Sequence, residues 1–151
     1  MTAAPEPTLS FRPAATDDAD ALTALERDAN LVALAHVFPG VPYPSGDVRD
    51  RWVRLLADPS VRVEVAGPPD RLDVYLAWDE ERLRHLGVRP EQWGRGLARR
   101  AVERAGGVRR LWVLRENARA RGFYEHLGWR PTGVEQAAEW PPYPVELEYA
   151  R

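Results

Sequence analysis

The sequence predicts a single α/β domain of the α+β kind, with a mixed, mostly antiparallel central sheet and helices on both faces. Three observations carry that expectation. The chain has 151 residues, enough for one core and marginal for two. Residues 61–88 hold three apolar runs in series that alternate at strand period, as an antiparallel meander would. Flanking segments repeat their apolar residues at helical spacing, with no internal repeat and no linker long enough to split the chain.

Each element has its own signal. Residues 1–8 are polar and Pro-rich and read as a disordered tail, leaving 9–151 as the domain. Leu9, Phe11 and Pro13 suggest a short first strand. Thr16 followed by Asp17, Asp18 and Asp20 marks a helix start, with Thr16 as N-cap and the acids at the positive end of the dipole. Leu22, Leu25 and Ala29 then predict a helix from about Asp17 to Ala29. Asn30 to Ser45 contains three prolines and a glycine and is expected to be irregular. Ser45 is placed to cap a second helix with Val48, Trp52, Leu55 and Leu56 on its apolar face.

Val61–Val65, Leu72–Ala77 and Arg82–Val88 read as the three meander strands, and Pro90 stops the last. A turn at Trp93–Gly96 leads into a helix carrying Leu97, Ala101, Val102 and Ala105, ended by Gly106 and Gly107. Leu111–Leu114 is a short strand, about Ala118–Leu127 a helix with Gly128 at C′, and Arg130–Val134 and Val145–Tyr149 two closing strands.

Composition narrows the function classes. The net charge of -2 gives no reason to expect a nucleic-acid partner. With no cysteine there is no disulfide, thiolate metal site or cysteine nucleophile. The start lacks signal-peptide regions and no apolar run is long enough to span a bilayer, so no membrane partner and a cytoplasmic location are expected.

The segment Leu83–Arg100 carries the chemistry. A strand ends at Pro90, and the turn Trp93-Gly94-Arg95-Gly96-Leu97-Ala98 opens a helix. The first amides of a helix lack intrahelical acceptors and sit at the positive end of its dipole. Two glycines let a diphosphate approach them, and Arg95, Arg99 and Arg100 add cations near the turn. Taken alone, these residues fit an ordinary tight turn with arginines on a solvated helix face better than they fit a phosphate site. The turn is not a P-loop, since no Gly-Lys-Ser/Thr follows, and it lacks the third glycine of a dinucleotide fingerprint.

The surrounding pattern resembles the acetyl-CoA motif of the GNAT superfamily of N-acetyltransferases, Gln/Arg-x-x-Gly-x-Gly/Ala. Gly96 and Ala98 match its last two fixed positions, and Leu86-Gly87-Val88 matches the strand before it; Trp93 departs from the Gln/Arg position. A second stretch, Asn117-Ala-Arg-Ala-Arg121-Gly-Phe-Tyr124-Glu-His-Leu-Gly128-Trp129, also resembles the family, with Trp129 for the usual Phe. The resemblance covers the C-terminal half well and the N-terminal half by element order.

The resemblance implies an enzyme that moves an acetyl group from acetyl-CoA, its acyl-donor substrate, to a primary amine by direct attack. It implies a cofactor contact surface of Leu86, Gly87, Val88, Trp93, Gly94, Arg95, Gly96, Leu97, Ala98, Arg99, Asn117 and Arg121, with no metal. Tyr124 is implied as the general acid for the departing thiolate. Read from the residues alone, Tyr124 fits plain packing and Asn117 a helix N-cap. The alternative function is a non-catalytic acyl-CoA-binding regulatory module on the same fold.

The proton acceptor stays open among His85, Glu81, Glu139 and a water relay. Arg82 and Arg84 fall where some relatives carry the base, and arginine stays charged. Phe38 and Tyr43, with Trp52 nearby, and the stretch Trp140–Tyr143 suit an amine acceptor pocket; Trp140 and Tyr143 equally suit a homodimer contact.

Overall fold

A computed structural model describes residues 9–151, so the tail expected at residues 1–8 lies outside the described residues. The chain runs β1 (Phe11–Pro13), α1 (Ala19–Ala33), α2 (Ser45–Ala57), β2 (Arg62–Ala66), β3 (Val74–Trp78) and β4 (Arg82–Val88). It continues through α3 (Leu97–Arg104), β5 (Arg110–Leu114), α4 (Ala118–His126), β6 (Arg130–Ala137) and β7 (Val145–Ala150). The seven strands form one sheet in the order β1-β2-β3-β4-β5-β7-β6. Every pairing is antiparallel except β4 with β5. The expected mixed, mostly antiparallel sheet is therefore present. No helix among the described residues is long and apolar enough to cross a membrane.

Strand β3, inside the sheet, explains why helices cover both faces. Successive strand side chains point to opposite sides. Val74 and Leu76 join one buried cluster with Leu97, Ala101 and Val102 of α3 and Tyr124 of α4. Tyr75 and Ala77 join a second with Leu22 and Leu25 of α1 and Val48, Trp52 and Leu55 of α2. Two cores thus share one strand.

The start and end of α1 differ from expectation. Thr16 caps nothing with its side chain; residues Thr16–Asp18 form a 3-10 turn and the α-helix begins at Ala19. Asp18 takes the organising role instead, because its carboxylate accepts from the Ala15 amide at 2.7 Å and from both Arg12 terminal nitrogens at 2.9 and 2.8 Å. That ion pair ties β1 to the entry of α1. The helix runs four residues past Ala29, since the first proline comes only at Pro39. Ser45 is the first helical residue of α2 rather than its cap, and Pro44 holds the N-cap position without a side-chain bond.

The meander contains an irregularity that sequence alternation misses. Ala77 faces His85, but Trp78 faces Leu83, so Arg84 is an extra residue in β4. The bulge turns His85 onto the α2 face, where its ring lies 5.4 Å from that of Trp52. The third strand starts at Val74 rather than Leu72, although Leu72 is fully buried beside it.

Candidate active site

The parallel pairing of β4 and β5 lasts for only two registers, Arg82 with Arg110 and Leu83 with Leu111. Beyond Leu83 the strands part. Leu86–Val88 keep their partners on β3 and have none on β5. A strand edge left open inside a sheet exposes main-chain donors and acceptors to whatever enters the gap.

The open edge leads to the glycine turn. Gly94 and Gly96 have φ of +81° and +77°, the left-handed region that glycine enters without cost. Gly96 is the N-cap of α3, and no side chain caps the helix. Arg100 N–H reaches back to Gly96 O at 3.1 Å, beginning the helical ladder. Among the described residues, no group accepts from the amides of Gly94 through Ala98. A Cβ built at Gly94 or Gly96 meets nothing within 4 Å, and Gly94, Gly96, Leu97 and Ala98 line an open cleft. Unpaired amides at a helix start, facing open space, form an anion site.

A cleft of 420 Å³ joins these parts. Its walls include Leu86, Gly87 and Val88 of β4, then Trp93, Gly94, Gly96, Leu97, Ala98 and Arg99 of the turn and α3. Asn117 and Tyr124 line it from the α4 side. Eleven of the thirteen residues expected at the site therefore surround one space. Arg95 does not; its side chain stands exposed on the outer side of the turn. Arg121 does not either. Its Nε donates to the Tyr149 hydroxyl at 2.9 Å and its Nη1 to Arg115 O at 3.1 Å, so the guanidinium ties α4 to β7. Arg100 is also diverted, donating to Leu9 O at 3.0 Å.

Trp93 explains its own departure from the usual polar residue. Its indole N–H donates to Val88 O at 2.9 Å, closing the end of the open edge. Arg119 stacks on its ring, with Cζ 3.8 Å from the centroid. Arg119 thereby brings to the cleft a cation that the sequence reading missed, because its partner is 26 positions away. Ala29, Asn30 and Ala33 were also missed; α1 lays them along the cleft from the other core. Their signal, small and polar residues on one face near a helix end, is too common to read alone.

Tyr124 is buried and lies in the cleft wall, its ring edge-on to Phe123 at 5.1 Å and Trp129 at 6.1 Å. Burial raises its phenol above the ordinary value, so it stays a hydrogen-bond donor across the neutral range. Asn117 caps α4, its Oδ1 accepting from Ala120 N–H at 3.1 Å, and faces the cleft as well. Arg82 and Arg84 are occupied elsewhere, by Glu148 at 2.7 Å and Asp79 at 3.3 Å. Burial, followed by the Arg51 and Arg84 charges, holds the His85 imidazole well below its usual value.

A second cavity, of 290 Å³, adjoins the cleft, and Asn30 borders both. Phe38, Tyr43 and Trp140 lie in its wall, as expected of an acceptor pocket, but Tyr143 and the deeply buried Trp52 do not. Above it the loop after α1 is latched across the molecule by His36, whose Nε2 lies 2.7 Å from Glu116 O, next to Asn117.

Comparison with known proteins agrees with this geometry. Residues 65–131 match the family model described as an acetyltransferase (GNAT) domain. A mycothiol acetyltransferase from Beutenbergia cavernae is 47% identical over 57 residues, 32% of this chain and 19% of that protein. The chain thus spans only about a fifth of the length of that curated relative. An acetyltransferase structure from Thermus thermophilus superposes with a TM-score of 0.72 at 27% identity, covering 96% of this chain and 97% of that one. The fold is shared with apo YjaB of Escherichia coli, at 22% identity and TM-score 0.75 over 95% and 97% of the two chains. It is also shared with the PaiA N-acetyltransferase of Thermoplasma acidophilum, solved with coenzyme A, at 13% identity and TM-score 0.69 over 96% and 100%. The splayed strand pair and the uncapped glycine turn both lie within the segment that matches the GNAT acetyltransferase domain, and over that segment the chain is similar to GNAT acetyltransferases.

Proposed function

We propose that the protein transfers an acetyl group from acetyl-CoA to a primary amine by direct attack of the amine. The observation that carries this reading is the run of unpartnered amides from Gly94 to Ala98 at the end of an open strand edge, with Tyr124 across the same cleft. Acetyl-CoA supplies an acyl group already activated as a thioester, so no protein nucleophile is needed, which agrees with the absence of cysteine.

The residues divide the work. The turn amides, with the Arg99 charge beside them, hold the diphosphate through main-chain donors. The free edge at Leu86–Val88 holds the extended arm of the donor and aims N–H groups at its carbonyl oxygen. Tyr124 donates a hydrogen bond to the leaving sulfur. Burial raises this phenol, so it acts as a hydrogen-bond donor rather than as an acid that gives up its proton. The amine nitrogen loses one proton as the amide forms and the departing sulfur gains one, and Tyr124 serves as the donor and conduit at the sulfur. His85 is kept neutral by its surroundings, and it packs against Trp52 on the opposite side of β4 from Leu86.

The test is release of free CoA from acetyl-CoA with a panel of amines, alongside calorimetric binding of CoA. Saturable CoA binding with amine-dependent release is the expected result. Binding without turnover across the panel would instead indicate a regulatory acyl-CoA-binding module.

A further inference from the structure

The 290 Å³ cavity beyond Asn30 has a chemistry of its own. Most of its wall is apolar, from Leu31, Leu34, Phe38, Val41 and Trp140. One polar cluster breaks that wall. Glu26 is only 5% exposed, yet it borders the cavity. Its Oε1 accepts from Arg51 Nη2, and its Oε2 accepts from the Tyr43 hydroxyl at 3.3 Å. A carboxylate offers about four acceptor positions, these two bonds use two of them, and Glu26 lines the cavity. Buried acceptors are normally filled, and here the open direction is where a ligand would sit.

Two further points identify the donor that fits. Asp47 adds a second negative group at the exposed mouth, so with Glu26 and Arg51 the lining favours a cation over an anion. Glu26 stands one helical turn from Asn30 on the same face of α1, and Asn30 borders the donor cleft. The charged end of a ligand is thus drawn toward the thioester, and its remainder toward Phe38 and Trp140.

We infer, resting on the acetyl-transfer reading above, that this cavity is the acceptor subsite for a primary amine carried on a single uncharged apolar or aromatic body, with Glu26 receiving the ammonium. A linear polyamine would have to lay its further cations along the apolar wall, and an amino acid would bring its carboxylate against Glu26 and Asp47. Both are disfavoured by desolvation or repulsion.

The experiment compares phenethylamine, isoamylamine, spermidine and free lysine by CoA release, with CoA affinity measured separately by calorimetry. The first two amines are expected to show kcat/KM at least about tenfold above the others. Phe38→Asp, in the loop and outside both cores, should cut kcat/KM for phenethylamine by about tenfold and leave CoA affinity unchanged. Glu26→Gln should raise KM for phenethylamine by a similar factor, and Phe38→Asp keeps the test valid should loss of the Arg51 pair unsettle the fold. Preference for spermidine or lysine, indifference to Phe38→Asp, or CoA binding with none of the four amines accepted would overturn the acceptor assignment. Absence of CoA binding would instead remove the acetyl-transfer reading beneath it.

Discussion

Single side chains here take their roles from what they touch. Tyr124 has aromatic rings on two sides and the cleft on another, and no charged group is among the causes of its shift. Tyr124→Phe keeps the packing and removes only the donor. We expect kcat to fall by roughly a hundredfold or more while acetyl-CoA affinity holds, as steady-state kinetics and calorimetry would record. Equal turnover would return Tyr124 to a packing role. Asn117 and Tyr124, which line the cleft, were legible through the resemblance of the stretch that carries them, since read alone they fit a helix cap and plain packing. Arg121 was not, because its direction is set by Tyr149 and Arg115, which only the folded chain brings near. Glu26 was invisible for the same reason: an acid on a helix reads as solvated until Arg51 and Tyr43 enclose it.

Elements position the site by where pairing stops. The gap that forms the cleft exists because β5 leaves β4 after Leu83, and α3 packs against β3 and β4 on one face. Gly87 sits on the open strand opposite Tyr75, and a Cβ there would overlap the Tyr75 ring. Gly87→Ala should therefore destabilise the fold by about 1–3 kcal/mol and weaken CoA binding, and Tyr75→Ala in the same chain should recover the binding. Chemical denaturation with calorimetry would check both. At the other end, Asp18→Ala removes the tie between β1 and α1 and should cost about 1–2 kcal/mol by the same denaturation. Strand and helix order was readable from periodicity, since alternation and 3.6-residue spacing are local. The Arg84 bulge was not, because a register shift depends on the partner strand. Helix caps were misread where a hydroxyl suggested a cap and a proline or an ion pair supplied the boundary.

The whole molecule is two cores on one sheet, and the site lies where they meet. His85 belongs to the α2 core and is pushed well below its usual value by burial. Below about pH 6.5 the unfolded chain binds a proton at His85 that the folded chain refuses, so stability falls as pH drops, by up to about 1.4 kcal/mol per unit. His85→Gln should flatten that slope in denaturation curves taken from pH 7.5 to 5; an unchanged slope would place the titration elsewhere. The proposed acetyl transfer depends on the join between the cores: α1 from one core and α3 with α4 from the other enclose a common space, and α3 presents its bare amides to it. Amide resonances followed by ¹⁵N–¹H correlation spectra during CoA titration test that most directly. Large, saturable shifts are expected at Gly94, Gly96, Leu97 and Ala98 with CoA, and little change there with pantetheine, which lacks the diphosphate. CoA binding that leaves those four amides unmoved would contradict the assignment of the turn as the diphosphate site.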